Sequence, residues 1–124
     1  MKVDRLASAV VDFGEGRQLS FTCGTQASNF QRVQILGTTG RFEIEIPFNA
    51  PPDKPTLVHL HQDGKPVETR EIAMCDQYTL QAEAFGRAVR GIEPLDHGVE
   101  NAIRNMRVLD ALFRAEMSGR WETV

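Results

Sequence analysis

Two acidic side chains two positions apart, Glu43 and Glu45, are the first candidates for chemistry in this chain. They alternate with Phe42, Ile44 and Ile46, so both carboxylates project from one face of a predicted strand. Such a pair performs acid–base catalysis when a pocket raises one of the two pKa values. The surrounding sequence predicts an open sheet face with no enclosing pocket, and we therefore expect no catalytic residue in this chain.

Two histidines, His59 and His61, have the spacing of a shared metal site. On a predicted strand both imidazoles lie on the same face, but a protein metal site generally needs three or four converging ligands. Asp63 belongs to a predicted turn, and His97 lies far along the chain at the start of a helix. We expect solvated or partner-facing histidines and no metal centre.

The two cysteines, Cys23 and Cys75, are far apart in sequence and lie among apolar or strand-forming residues. Intracellular thiols are rarely oxidised, and free cysteine is among the most buried residue types. The sequence therefore predicts two buried thiols rather than a disulfide.

A glycine pair, Gly14 and Gly16, begins the GxG pattern of phosphate-binding loops. In such loops the turn opens a helix whose N-terminal amides face the phosphate, whereas the residues from Gln18 onward alternate as a strand. The pattern predicts a hairpin turn, and we expect no cofactor site in this chain.

Length and charge restrict the class of protein. The chain has 124 residues and a formal net charge of −3, and its fourteen Lys and Arg residues are scattered. This favours one domain spanning residues 1–124 and argues against nucleic-acid binding. No apolar run approaches the roughly 18 residues of a membrane span, and the first residues lack the apolar core of a signal peptide. A cytoplasmic protein without membrane contact is expected.

Hydrophobic periodicity then indicates the elements. Period-two alternation and turn residues predict three hairpins, over residues 6–23, 31–49 and 56–74, the last turning at Asp63-Gly64. Helical spacing follows: Asp76 is the predicted N-cap of a first helix, Asp96 caps a second that ends at Gly119, and residues 121–124 add a short strand. The expected fold is α+β, an open, largely antiparallel sheet of about six strands with both C-terminal helices on one face.

Several segments in this order resemble the C-terminal domain of the Gfo/Idh/MocA oxidoreductases, over nearly the whole chain. The most specific are the Gly37-Thr38-Thr39-Gly40 turn followed by Ile46-Pro47-Phe48-Asn49, Tyr78-x-x-x-x-Glu83-x-Phe85, and Glu100-Asn101-Ala102 in a helix ending at Ser118-Gly119. The resemblance implies a parent enzyme whose N-terminal Rossmann domain, absent here, binds NAD or NADP. It also implies a sugar, inositol or related polyol as the substrate, with no activity in this chain alone.

The resemblance further implies that the open sheet face pairs between subunits, giving a homodimer or higher homo-oligomer. Its polar residues are the expected oligomer interface: Gln18, Ser20, Thr22, Arg32, Gln34, Glu43 and Glu45. Tyr78 is the expected substrate-adjacent residue, although packing alone would also explain an aromatic residue at this position. The alternative is an independent small module that holds a ligand or protein on the exposed sheet or on the Tyr78 helix.

Overall fold

The computed structural model describes residues 4–124 and contains eight elements in the expected order. The strands are β1 (Leu6–Asp12), β2 (Gln18–Gly24), β3 (Val33–Leu36), β4 (Gly40–Ile44), β5 (Thr56–Gln62) and β6 (Glu68–Ile72), followed by the helices α1 (Gln77–Val89) and α2 (Val99–Ser118). Every strand pairing is antiparallel, which confirms the α+β class and the six strands.

The strands form two sheets rather than the single predicted sheet. Among the described residues, β1 pairs with β2 alone, and the other strands form a four-stranded sheet in the order β3-β4-β5-β6. Each predicted hairpin is present because its turn residues act locally, whereas pairing between hairpins depends on contacts that local patterns do not encode. The chain also divides into two compact units. One contains the residues up to Ser28 and Leu95–Val124, and the other contains Asn29–Pro94.

The β1–β2 turn in the first unit has the predicted glycine chemistry. Gly14, Glu15 and Gly16 all have positive φ angles, of 75°, 54° and 76°. The Gly14 N–H donates to the Asp12 carboxylate at 2.9 Å, which holds the reversal in place. Residues 14–16 therefore reverse the chain between two antiparallel strands, as their glycines predicted.

A tight turn at Gly37–Gly40 in the second unit joins β3 to β4. The Gly37 N–H donates to the Gly40 carbonyl at 2.8 Å. A Cβ at Gly40 would lie 2.2 Å from the His61 carbonyl oxygen, so only glycine allows β4 and β5 to approach this closely.

Helix α1 begins as predicted. The Asp76 carboxylate accepts hydrogen bonds from the backbone N–H groups of Tyr78 and Thr79 and from the Thr79 hydroxyl. These three hydrogen bonds, the Thr79 hydroxyl first, hold the pKa of Asp76 below its ordinary value of 3.8. Asp76 is therefore an ionised cap near neutral pH.

Helix α2 begins later than its predicted cap. Gly98, not Asp96, is the N-cap, and its carbonyl accepts from the Asn101 N–H at 3.1 Å. The C-terminus is as predicted, because Gly119 adopts the left-handed conformation with φ 65°. Residues 121–124 form no strand, so that prediction was wrong.

Apolar side chains remain largely uncovered. Ala111 is the one buried residue among those that the structure describes, although the sequence predicted a core of helix on sheet. Ile35 is 59% exposed and Phe85 is 59% exposed. Extensive exposed apolar surface usually marks a region that contacts another polypeptide or a ligand. Within residues 4–124, neither helix is long and apolar enough to cross a bilayer.

Candidate functional site

One face of the four-stranded sheet carries most of its polar side chains, and we call it the polar face. The register aligns the residues of this face in three rows across the strands. The first row is Leu36, Arg41 and His61; the second is Gln34, Glu43, His59 and Thr69; the third is Arg32, Glu45, Leu57 and Glu71. The residues between them in sequence, such as Ile35 and Phe42, lie on the opposite face because side chains alternate along a strand.

The centre of the polar face is a hydrogen-bonded network that crosses all four strands. Gln34 donates to Glu43 at 3.0 Å, and Arg32 forms ion pairs with Glu43 and, at 3.5 Å, with Glu45. The His59 ring continues the network from Glu45 toward β6. Neighbouring long side chains cover this centre, so the Glu43 side chain is only 14% exposed.

Glu43 is the most strongly held carboxylate of the network. Its partial burial raises the pKa of Glu43, but the hydrogen bonds from Gln34 and Arg32, the positive charge of Arg32 and the electrostatic effect of His59 together lower the pKa by more. The net pKa lies below its ordinary value of 4.5. Glu43 therefore stays ionised near neutral pH and is a poor proton donor, unlike a catalytic general acid.

His59, on β5, links Glu45 at the end of β4 to Thr69 on β6. Its Nε2 lies 3.3 Å from Glu45 Oε1 and its Nδ1 lies 2.9 Å from Thr69 Oγ1. An ionised carboxylate can only accept, so Nε2 carries the proton toward Glu45, and in the neutral ring Nδ1 accepts from the Thr69 hydroxyl. Both ring nitrogens are thus engaged, which leaves neither free to bind a metal. Residues 4–124 contain no group of three or more side chains placed to hold one.

Arg41 lies at one end of the polar face beside His61. Its Nη2 is 3.2 Å from His61 Nδ1, a nitrogen that accepts from the guanidinium in the neutral ring. Arg41 is exposed, as is Glu71 at the opposite end of the face. Charge is therefore paired at the centre of the polar face and available at its ends.

The seven residues of the expected interface belong to two different sheets. Arg32, Gln34, Glu43 and Glu45 belong to the polar face and contact one another. Gln18, Ser20 and Thr22 instead share a face of the β1–β2 hairpin, where the hydroxyls of Thr22 and Ser8 are 2.9 Å apart.

Sequence reasoning missed the contribution of β5 and β6 to the polar face. His59 and Thr69 are central to the network, although neither was among the expected interface residues. Pairing the predicted β4 and β5 strands would have placed His59 opposite Glu43 and so revealed it. Identifying Thr69 also needed the β5–β6 register, which the Asp63-Gly64 turn determines.

Tyr78 and the cysteines lie outside this network. Tyr78 is in the first turn of α1 and is 67% exposed. Cys23 and Cys75 are unpaired, but both are exposed, so the prediction of buried thiols was wrong. Cys23 lies on the same face of the β1–β2 hairpin as Leu19. Leu19 is itself 48% exposed, so this face leaves the Cys23 thiol accessible.

Two curated proteins are similar to nearly the whole chain. An uncharacterized oxidoreductase of Rhizobium meliloti, ORF334, is 40% identical over 126 residues, covering 98% of this chain and 38% of its own length. D-xylose 1-dehydrogenase (NADP(+)) 2 of Haloferax volcanii is 29% identical over 117 residues, covering 94% of this chain and 36% of its own length. The homologues are thus oxidoreductases, one of them a sugar dehydrogenase, and the chain spans little more than a third of their lengths.

No protein-family profile matches the chain. No solved structure matches it either.

Proposed function

We propose that this chain is the substrate-side and oligomerisation domain of an NAD(P)-dependent oxidoreductase of the Gfo/Idh/MocA type. The proposed substrate is a sugar, inositol or related polyol. The main support is that similarity to two oxidoreductases extends over at least 94% of this chain but covers only 36–38% of either relative. One relative is named for xylose oxidation with NADP, which supports a carbohydrate substrate and a nicotinamide cofactor for the parent enzyme.

The described residues do not fit a dinucleotide. The Gly14–Gly16 turn joins two antiparallel strands instead of opening a helix. Asp76 already occupies the N-terminus of α1, and its negative charge would repel a pyrophosphate there. Helix α2 carries Glu100 in its first turn, which is similarly unfavourable. We therefore propose that the cofactor is held by another part of the parent enzyme, and that this chain alone has no turnover.

The oligomerisation role rests on the polar face and on the exposed apolar surface. The central polar groups, including Glu43 and His59, are already hydrogen-bonded within the chain. Covering them leaves each of these central groups with a hydrogen-bonding partner inside the chain, and buried polar groups that keep their partners are tolerated. We propose a homodimer or higher homo-oligomer with this face at the subunit boundary.

The two free cysteines suit a reducing compartment, and we propose the cytoplasm.

A two-part experiment tests this function. Calorimetric titration of the purified chain with NAD and NADP should detect no tight binding. The coding sequence upstream of Met1 should continue into a strand, a glycine-rich turn and a helix, and the protein expressed from the extended gene should oxidise a sugar or polyol with NAD or NADP. Tight coenzyme binding by the isolated chain would refute the proposed division of roles.

The alternative is a stand-alone binding module that uses the exposed sheet. The polar face suits this reading as well, because its ends carry the exposed charges of Arg41 and Glu71. A stop codon directly upstream, with no Rossmann-type sequence joined to this chain, would favour the module.

A further inference from the structure

The four-stranded sheet ends in two edge strands, β3 and β6, whose outer edges differ in chemistry. In the part of the chain that the structure describes, each of them pairs with one neighbour. The side chains of Glu68, Arg70 and Glu71 give β6 three charges in five residues, and Arg70 Nε lies 2.7 Å from Glu68 Oε1. β3 has the sequence VQIL and carries no charge. Natural sheets commonly protect a solvent-exposed edge with charged side chains, so β6 has this protection and β3 lacks it.

The hydrogen-bond pattern shows which backbone groups of β3 face its outer edge. The Gly37 N–H donates to the Gly40 carbonyl, so these two residues form a hydrogen-bonded pair. Such pairs alternate along an antiparallel ladder, and Ile35 is therefore the next residue that bonds to β4. The N–H and C=O groups of Gln34 and Leu36 consequently point away from β4. Outward-facing groups of this kind are a template onto which a further strand can hydrogen-bond.

Apolar side chains on both sides of this edge are uncovered. Leu36, on the polar face, is 76% exposed, and Ile35, on the opposite face, is 59% exposed. Side chains of neighbouring strands that lie on the same face are about 5 Å apart, so one added strand would cover both residues at once. The edge of β3 is therefore suited to strand addition by its side chains as well as by its backbone.

The length of the relatives and the shortness of β3 indicate the source of the added strand. The chain matches 36–38% of the length of either relative, so most of each relative's polypeptide lies outside the matched region. The edge of β3 offers only the N–H and C=O groups of Gln34 and Leu36. So few hydrogen bonds do not hold two separate molecules together against their loss of translational freedom, whereas a strand of the same polypeptide does not incur that loss.

We propose that β3 is an internal strand in the parent enzyme, where a strand from outside these 124 residues hydrogen-bonds to Gln34 and Leu36. This inference rests on the proposed function, because both take the chain to be part of a longer polypeptide. The added strand carries uncharged side chains beside Ile35 and Leu36. β6, with its charged side chains, remains a solvent-exposed edge of the sheet.

Amide hydrogen exchange measured by NMR tests the added strand. The isolated chain is compared with the protein expressed from the upstream-extended gene. In the longer protein the Gln34 and Leu36 amides should exchange at least about tenfold more slowly than in the isolated chain, because each gains a hydrogen bond. By the same alternation, the Thr69 and Glu71 amides point outward from β6, and they should exchange rapidly in both proteins. The Glu43 amide bonds to β5 and is the internal reference for an intact sheet.

Leu36→Pro and Glu71→Pro are a matched pair of variants, because each removes an outward N–H and no ladder hydrogen bond of the chain itself. In the longer protein Leu36→Pro should lower the urea midpoint more than Glu71→Pro does. In the isolated chain the two variants should have similar midpoints, since neither edge is paired there.

Three results would overturn the proposal: rapid exchange of Gln34 and Leu36 in the longer protein, equal effects of the two prolines there, or slow exchange of both amides already in the isolated chain. In the last case the strand would come from this chain or from a second copy. Tight coenzyme binding by the isolated chain would instead refute the proposed function without altering these exchange rates, so the two failures are distinguishable.

Discussion

Replacing Gly40 by alanine should destabilise the four-stranded sheet strongly. The added Cβ would lie 2.2 Å from the His61 carbonyl oxygen and 3.2 Å from the Gln62 Cα. Both neighbours are backbone, so a side-chain rotation cannot relieve the clash, and β4 must move away from β5 by about 1 Å to regain ordinary contact. Overpacking of this kind costs about 2 kcal/mol of unfolding free energy.

Gly37 in the same turn provides the matched control. A Cβ there would meet the Gly40 carbonyl oxygen at 3.5 Å, an ordinary contact. Its φ is also outside the left-handed range, so Gly37→Ala should change stability by no more than about 0.5 kcal/mol.

Urea denaturation followed by circular dichroism, at one fixed protein concentration, measures both variants. With a slope of about 2 kcal/mol per molar urea, the midpoint of Gly40→Ala should fall by about 1 M. The concentration is fixed because dimerisation would contribute to stability. Equal midpoints for Gly40→Ala and Gly37→Ala would refute the close approach of β4 to β5 at Gly40.

Substitutions at three further positions test a cap, the network and a helix end. Because the folded-state pKa of Asp76 is lowered, its charge stabilises the fold above its ordinary pKa of 3.8, and this contribution is lost as the pH falls through the folded value. Asp76→Asn should therefore flatten the acid limb of a plot of urea midpoint against pH, and an unchanged limb would contradict the cap. The pKa of Glu43 is also lowered in the folded state, so Glu43→Gln should lower the urea midpoint more at neutral pH than at acid pH. An equal fall in the midpoint at both pH values would contradict the pairing of an ionised Glu43. Gly119 has a φ of 65°, so Gly119→Ala should lower the free energy of unfolding by about 1 kcal/mol and Gly119→Asn should lower it by less. Equal urea midpoints for the two variants would contradict the left-handed helix end.

The sequence predicted those parts of the fold that depend on neighbouring residues. The hairpin turns follow from glycines with positive φ, such as Gly14 and Gly64, and the α1 cap follows from a side chain that reaches its own first turn. The α2 cap was missed because Asp96 precedes the helix by three residues, whereas Gly98 caps through its backbone. A backbone cap has no side-chain signature.

The candidate site was predictable only within each hairpin. Alternation placed Arg32, Gln34, Glu43 and Glu45 on one polar face, because a strand and its hairpin partner share a register fixed by the turn. Alternation could not show that Gln18 and Thr22 belong to another sheet, since which strands become neighbours depends on tertiary contacts. Exposure of Cys23 was missed for the same reason.

The proposed division of roles makes a direct prediction about catalysis. The purified chain, supplied with NAD or NADP and a panel of sugars and polyols, should reduce no coenzyme. The protein expressed from the upstream-extended gene should reduce it with at least one of those substrates under the same conditions. Coenzyme reduction by the isolated chain would contradict the central claim, because the chemistry would then reside in these 124 residues.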